Sequence, residues 1–256
     1  MEFINEGTCW SILTLFISFF VGIVTSAVSS LIGGGGVVIA VPALNFLGLP
    51  LNVAIATTRF GCIGQSGSSA YKFGKSNKIS KPHVFKLIII SVVGSYFGSK
   101  ILIDIDEHLL SKVVAVIFLA ILPVTWISRK FGVNRVKETK TRTFAGFFIY
   151  IALSIYDGFF GAGGGILAVY IFIYFFGLKY VEANATGQVP WFFNNIISTI
   201  IFMTHNIIDF SLGIPFLLGS ILGGYIGAHG AVEKGDRFAK LAVSIFVLIS
   251  SLILLF

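Results

Sequence analysis

Long apolar runs, two of them cut short by clusters of glycine, leave this chain few folds to choose from. From Ile12 to Ile32 no side chain is charged, and Gly33, Gly34, Gly35 and Gly36 follow at once. From Thr143 to Phe160 the only charge is Asp157, and Gly161-Ala162-Gly163-Gly164-Gly165 follows in the same way. Crossing a hydrocarbon core takes about 20 helical residues. The runs after the glycines, Val37 to Gly48 and Ile166 to Gly177, have about 12 residues and rise only about 18 Å as helix. Neither is long enough to span alone, so each is expected to form part of a broken or re-entrant element. Lipid tolerates such backbone only where protein or a polar cavity surrounds it.

The other apolar segments are Asn52 to Lys72, Val84 to Ile103, Lys112 to Ser128, Asn184 to Thr204, Gly213 to His229 and Ala239 to Phe256. Charged residues make up 11% of the chain and the mean hydropathy is +0.95, against about 25% charged in soluble domains. The expected fold is therefore an all-α polytopic membrane protein with about 8–10 membrane segments, its partner being the lipid bilayer. The net charge of +7 sits mainly in short loops, so it reports topology, and no nucleic-acid partner is expected. Cys9 and Cys62 are too few for a disulfide framework, and Cys62 reads as a packing residue. The first run lacks a basic leader and a small-residue cleavage site, so it is expected to stay as a membrane helix.

The two series match at an offset of 129 residues without a gap. Gly34, Gly35 and Gly36 fall on Gly163, Gly164 and Gly165, Gly48 on Gly177, Ala54-x-Ala56-Thr57 on Ala183-x-Ala185-Thr186, and Gly94, Tyr96 and Gly98 on Gly223, Tyr225 and Gly227. This predicts two related repeats, 1–128 and 143–256, joined by a basic linker at 129–142 in one integrated domain. The Lys72–Lys86 loop has five lysines and no acid, and the linker has six basic residues and one acid. The positive-inside rule puts both in the cytoplasm and the loop with Asp104, Asp106 and Glu107 outside. Counting segments then puts both termini outside and inverts the second repeat, provided each short run counts as a traverse.

The glycine clusters are the leading candidate site. Backbone opened inside a membrane leaves N–H groups unpaired, and an anion at a helix N-terminus can satisfy them. Gly33, Gly34, Gly35 and Gly36 would contribute from one repeat, and Gly163, Gly164 and Gly165 from the other. Close packing of helices through small residues is the plainer account of the same glycines. Arg59 is costly in this setting unless paired or hydrated, and its fork of donors suits an oxyanion; snorkelling to the interface is the alternative. Thr57, Gln65 and Ser66 share its helix, and Thr186, Gln188, Asn194 and Asn195 lie in the repeat region, forming either a hydrophilic seam or polar glue between helices. Trp191 either walls a cavity or packs. Asp157 either carries a proton or caps the second break. Glu182 can cap the helix it precedes. His229 and Lys100 occupy matched positions near the membrane edge, and His229, like His205, could relay protons. No cluster with metal-ligand spacing occurs, no nucleotide loop follows the glycines, and no catalytic set can be assembled, so neither cofactor nor enzyme activity is expected.

Gly33–Gly36 followed by Pro42, Gly48 and Ala54-x-Ala56-Thr57, then Asp157-Gly158, Gly161-x-Gly163-Gly164-Gly165, Gly177 and Ala183-x-Ala185-Thr186, resemble the sulfite exporter TauE/SafE-like permeases over nearly the whole chain. The resemblance implies a bacterial inner-membrane secondary transporter of small sulfur-containing or organosulfonate anions, with a proton gradient as the default energy source. An anion channel and a non-transporting assembly protein are the alternatives, and a homo-oligomer is left open. The second repeat departs from the first at Tyr170 and Ile171 (Val41 and Pro42 in the first) and at Gln188 (Arg59 in the first), so the repeats cannot contribute identically.

Overall fold

The computed structural model describes residues 11–105 and 139–255, with Leu109 and Arg135, and side chains as far as Ala242. The expected segment Lys112 to Ser128 and most of the linker lie outside the described residues. Among the described residues there are eight helices and no strand: α1 (Ile12–Ile32), α2 (Gly36–Phe46), α3 (Leu51–Lys75), α4 (Lys81–Asp104), α5 (Lys140–Phe159), α6 (Gly164–Phe176), α7 (Tyr180–Thr204) and α8 (Phe210–Leu255). The two last expected segments merge into α8, whose only non-helical residue is Gly235 at φ 74°. The protein is thus an all-helical membrane protein. By length and hydropathy α1, α4 and Phe210–Ala242 of α8 can each cross a bilayer, and α6 with α7 forms a further broken pair.

The glycine clusters end α1 and α5 where the sequence predicts. Gly33, at φ 82°, closes α1, and the N–H groups of Gly33 and Gly34 both donate to Ser29 O. Side chains from α7 cover two further carbonyls there: Asn184 Nδ2 donates to Ser30 O at 2.7 Å and Tyr180 OH donates to Ile32 O. The short helices α2 and α6 restart after Gly35 and Gly163, both left-handed. The axes of α6 and α7 are bent by 116°, so α6 turns back on α7 rather than running on into it.

Packing crosses between the halves. α1 lies along α8, while α5 lies along α4, and α3 and α7 meet at the centre. Glycines make these approaches close: a Cβ on Gly219, Gly223 or Gly227 of α8 would come within 2.0–2.1 Å of α1 carbonyl oxygens, and one on Gly98 of α4 within 2.0 Å of Ile155 O on α5. Lipid offers apolar helices no hydrophobic reason to associate, so such backbone contact is a main source of cohesion. Two apolar clusters lie on either side of the centre. One, around α6, includes Tyr150, Phe172 and Phe176; the other, around α2, includes Leu44, Phe160 and Phe216.

The repeat offset reappears in the hydrogen bonds. Thr57 Oγ1 accepts from Asp209 N, just before α8, at 3.0 Å, and Thr186 Oγ1 accepts from Ser80 N, just before α4, also at 3.0 Å. The two threonines are matched positions, and so are the two acceptor-seeking N–H groups. Asn77 and Asn206, again matched, are the only non-glycine residues with positive φ among the described residues, each at 53°.

Candidate functional site

Gly34 and Gly165 bring the two breaks into direct contact: a Cβ on Gly34 would lie 2.7 Å from the Gly165 Cα and 2.8 Å from Ile166 N. Beside this contact is a cavity of about 40 Å³ lined by Ser29, Gly34, Gly35, Val37, Arg59, Cys62, Gln65, Asp157, Gly161, Gly165, Trp191 and Asn195. A water needs roughly 10–15 Å³ of such volume, so the space suits a few water-sized groups. α2 and α6 begin at the breaks and no side-chain hydrogen bond caps either start. In the first turns Val38 N donates to Gly35 O at 3.0 Å and Gly164 N to Gly161 O at 3.3 Å, which leaves the N–H groups of Gly36, Val37, Gly165 and Ile166 without a partner in their own helices.

Arg59 comes from the third turn of α3 and is 5% exposed. Its Nη1 donates to Asn195 Oδ1 on α7 at 3.1 Å, while Nε and Nη2 have no hydrogen-bond partner. Its guanidinium lies against the second break, where a Cβ on Gly161 would come 2.1 Å from Nη2. Asn195 is held in turn by donating to Cys62 O at 3.3 Å and Ser66 Oγ at 3.4 Å. Asp157, 4% exposed, comes from the last turns of α5. A Cβ on Gly164 would meet its Oδ1 at 1.8 Å, and its Oδ2 has no hydrogen-bond partner. Asp157 and Arg59 attract one another across the site, yet they are not within the 4.0 Å of an ion pair. The Trp191 indole N–H interacts with the Asp157 carboxylate without hydrogen-bond geometry.

A buried polar network backs this cavity. Gln65 Nε2 donates to Ser30 Oγ at 2.9 Å and to Gln188 Oε1 at 3.1 Å, and Gln188 Nε2 donates to Asn184 Oδ1 at 2.8 Å. Among the residues proposed from sequence, Gly34, Gly35, Arg59, Gln65, Gly165 and Asp157 line the cavity. Gly33, Gly36, Gly163 and Gly164 frame the breaks, and Gln188 touches the lining through Gln65. Thr57 and Thr186 turn to the N–H groups before α8 and α4. Asn194 lies farther out, its Nδ2 donating to Ser91 O at 3.4 Å. His229 stands half-exposed on α8 with Nε2 3.0 Å from Glu233, and Lys100 rests over the Tyr96 ring. Glu182 Oε2 accepts from Lys179 N at 3.2 Å, capping α7. Cys62, read from sequence as packing, lines the cavity. The signal that could have found it is its match, at the repeat offset, to Trp191.

A family model described as Sulfite exporter TauE/SafE matches residues 18–254. A probable membrane transporter protein of Haemophilus influenzae is 28% identical over 88% of this chain and 88% of its own length. Probable membrane transporter protein YfcA of Escherichia coli K12 is 26% identical over 100% of this chain and 95% of its own. A probable membrane transporter protein of Methanocaldococcus jannaschii is 25% identical over 70% of this chain and 69% of its own. No solved structure matches the chain. With nearly its whole length matched, the chain belongs to the sulfite exporter TauE/SafE family of membrane transporters.

Proposed function

We propose that this protein is a secondary carrier of small sulfur-containing anions, sulfite among them, held in the cavity between Arg59 and the two glycine breaks. The observation that carries this reading is a buried guanidinium with Nε and Nη2 unpartnered beside a small cavity. An arginine inside a membrane costs several kcal/mol unless compensated, and a bound oxyanion supplies both a counter-charge and acceptors for a planar fork. The uncapped starts of α2 and α6 add N–H groups and favourable dipole ends from two directions. The family's character as sulfite exporters supports the substrate class, and the relatives' names support the transport role.

In this reading the halves have inverted topology, with the Lys72–Lys86 loop and the linker in the cytoplasm and both termini outside. Rocking of the halves about the central α3–α7 contact exposes the site alternately to each side. Asp157, the one buried carboxylate facing the cavity among the described residues, carries the coupling proton. The relatives come from bacteria and an archaeon, which supports a plasma-membrane setting.

The test is flux in proteoliposomes with sulfite, thiosulfate and a short sulfonate, with and without a pH gradient. A carrier gives saturable uptake and countertransport, and Arg59→Gln abolishes both. Flux that never saturates marks a channel instead, and no flux for any sulfur anion removes the transport reading.

A further inference from the structure

The basic loops meet at one end of the bundle. Ser80 N, in the lysine-rich loop before α4, donates to Thr186 Oγ1 at 3.0 Å. Arg135 Nη2 of the linker donates to Glu182 Oε1 at 2.7 Å, and Asp236 Oδ1, between Lys234 and Arg237, accepts from Val181 N at 2.8 Å. Val181, Glu182 and Thr186 all belong to the first two turns of α7. At the same end, where α4 and α5 start, lies another cavity, of about 410 Å³, lined by Lys86, Thr139, Lys140, Thr143, Phe144 and Phe147. We propose that this cavity binds the phosphate headgroup of an anionic phospholipid, whose chains leave along the exposed face of α5. The site is separate from the glycine breaks and needs no reading of them.

The walls carry two kinds of chemistry. Lys86 and Lys140 bring two ammonium groups from two helices, and neither forms an ion pair among the described residues. Thr139 and Thr143 set hydroxyls beside them, and no described residue of the lining is acidic. α5 starts here without a side-chain cap, so its dipole end adds to the same positive field. The other wall is aromatic. Lys86 Nζ stands 5.5 Å over the Phe147 ring, which keeps the ammonium at the seam between the two walls. Phe144 and Phe148, 65% and 60% exposed, stack edge-on at 5.0 Å one turn apart, a step from the cavity into the hydrocarbon. A free phosphate ion has no use for those rings, whereas a phospholipid presents a phosphate and a chain together. A zwitterionic headgroup would bring its own cation among the lysines, which repel it. Basic pockets between membrane helices on the cytoplasmic side suit anionic headgroups, and the volume lies within the roughly 300–1,000 Å³ of small-molecule sites.

The other half supplies an internal control. At the repeat offset Lys86 corresponds to Pro215, Lys140 to Ser11 and Phe147 to Ser18. There Ser18 Oγ donates to Leu212 O at 2.8 Å and ties α1 directly to α8, and Ser11 Oγ accepts from Thr14 N at 3.2 Å and caps α1. The matched pair of helix starts is therefore neutral and joined in one half, and doubly positive and open in the other. Packing one helix on another requires neither lysine. The cytoplasmic leaflet is the one with the negative surface potential, so the difference between the halves follows the difference between the leaflets.

Native mass spectrometry of the purified full-length protein in non-ionic detergent, titrated with phosphatidylglycerol, phosphatidylcholine or sodium phosphate, is the test. One phosphatidylglycerol is expected to bind ~10-fold or more tighter than phosphatidylcholine, and Lys86→Gln with Lys140→Gln to weaken it about 30-fold, about fivefold for each lysine. Lys75→Gln with Lys78→Gln removes the same charge from the same end outside the cavity and is expected to weaken it by no more than about threefold, through screened long-range attraction alone. Equal losses in the two pairs would make the attraction a property of the whole basic end and overturn the cavity site. Equal binding of the two lipids overturns the selection for negative charge. Sodium phosphate that binds as tightly as phosphatidylglycerol and displaces it marks a free-anion site and overturns the lipid assignment. Should the cavity variant fail to fold, the two lipids and phosphate compared on the unaltered protein decide the question alone.

Discussion

The loops that turn the chain between helices repeat faithfully from one half to the other, whereas the cavity does not. Thr57 and Thr186 accept from matched N–H groups at the same 3.0 Å. Asn77 N donates to Gly74 O at 3.0 Å and Asn206 N donates to Met203 O at 3.1 Å, again at matched positions. Around the cavity the matched residues diverge: Arg59 corresponds to Gln188, Cys62 to Trp191, and Asp157 to Val28. The matched positions supply the frame, including the two glycine breaks, and the charged side chains of the proposed site stand where the halves differ. In the proposed carrier a charge contributed once, beside the two breaks, serves a single ligand. Two matched arginines there would repel each other at close range.

The largest effect should come from the contact between the breaks. Gly34→Ala puts a methyl 2.7 Å from the Gly165 backbone at φ 135°. Strain and overpacking of this kind add to roughly 2–6 kcal/mol, and thermal unfolding in detergent should drop sharply. Gly74→Ala, outside the breaks, meets only Ile79 Cδ1 at 3.6 Å and should be neutral or stabilising by up to about 1 kcal/mol. Equal losses at both positions would remove the distinction between a broken site and ordinary helix glycine.

Next in size is the asymmetry of Arg59 and Gln188. Arg59→Gln makes the two halves alike at this position and should lower anion affinity by ~30-fold or more, since truncating one buried charge costs about 2–5 kcal/mol. Gln188→Ala removes a bond to Gln65 and another to Asn184. It should lower stability by about 1–3 kcal/mol while flux stays within a few fold. Binding assays and melting curves on the two variants separate these outcomes, and a matched loss of affinity in both would spread the site evenly over the halves.

Thr57→Val and Thr186→Val test the frame. Each leaves a backbone N–H before a helix without its acceptor, at a cost of about 1 kcal/mol. The two losses should agree within a few tenths of a kcal/mol, as additivity between distant independent sites allows, and neither should alter anion affinity. A shift in affinity in either variant would return that threonine to the binding site.

Much of this was legible in the sequence, for identifiable reasons. The apolar run from Ile12 to Ile32 coincides with α1, because length without charge in lipid leaves a helix little choice, and the glycine clusters end α1 and α5 because left-handed backbone needs them. Arg59 and Asp157 stood out because a charge in an apolar run requires an account. The parts that were hidden depend on helix rotation and on distant contacts. Thr57 and Arg59 are two residues apart on α3, so they point to different sides, and periodicity alone does not say which side meets α7. Cys62 lines the cavity only because α3 and α7 cross where they do. The 116° bend between α6 and α7 falls at left-handed Gly177, and no local pattern encodes its size.

The smallest effect, and the finest test of matched frame against unmatched site, lies at Asn77 and Asn206. Both hold φ 53° at the end of a long helix, a left-handed conformation that asparagine tolerates better than other side chains and glycine better still. Replacing either by glycine relieves what strain remains but gives the unfolded chain more freedom to lose. The two terms oppose, so Asn77→Gly and Asn206→Gly should each move stability by no more than about 0.5 kcal/mol, in the same direction. The turns share their backbone hydrogen bonds as well as their dihedral angle, Phe73 O accepting from Lys78 N and Phe202 O from Ile207 N, and differ locally in Ser76 against His205. Opposite signs in the two melting shifts would mean that one turn is loaded by something outside the frame. The Ser80 and Asp209 N–H groups that follow these turns, bound to Thr186 and Thr57, are where that load would enter.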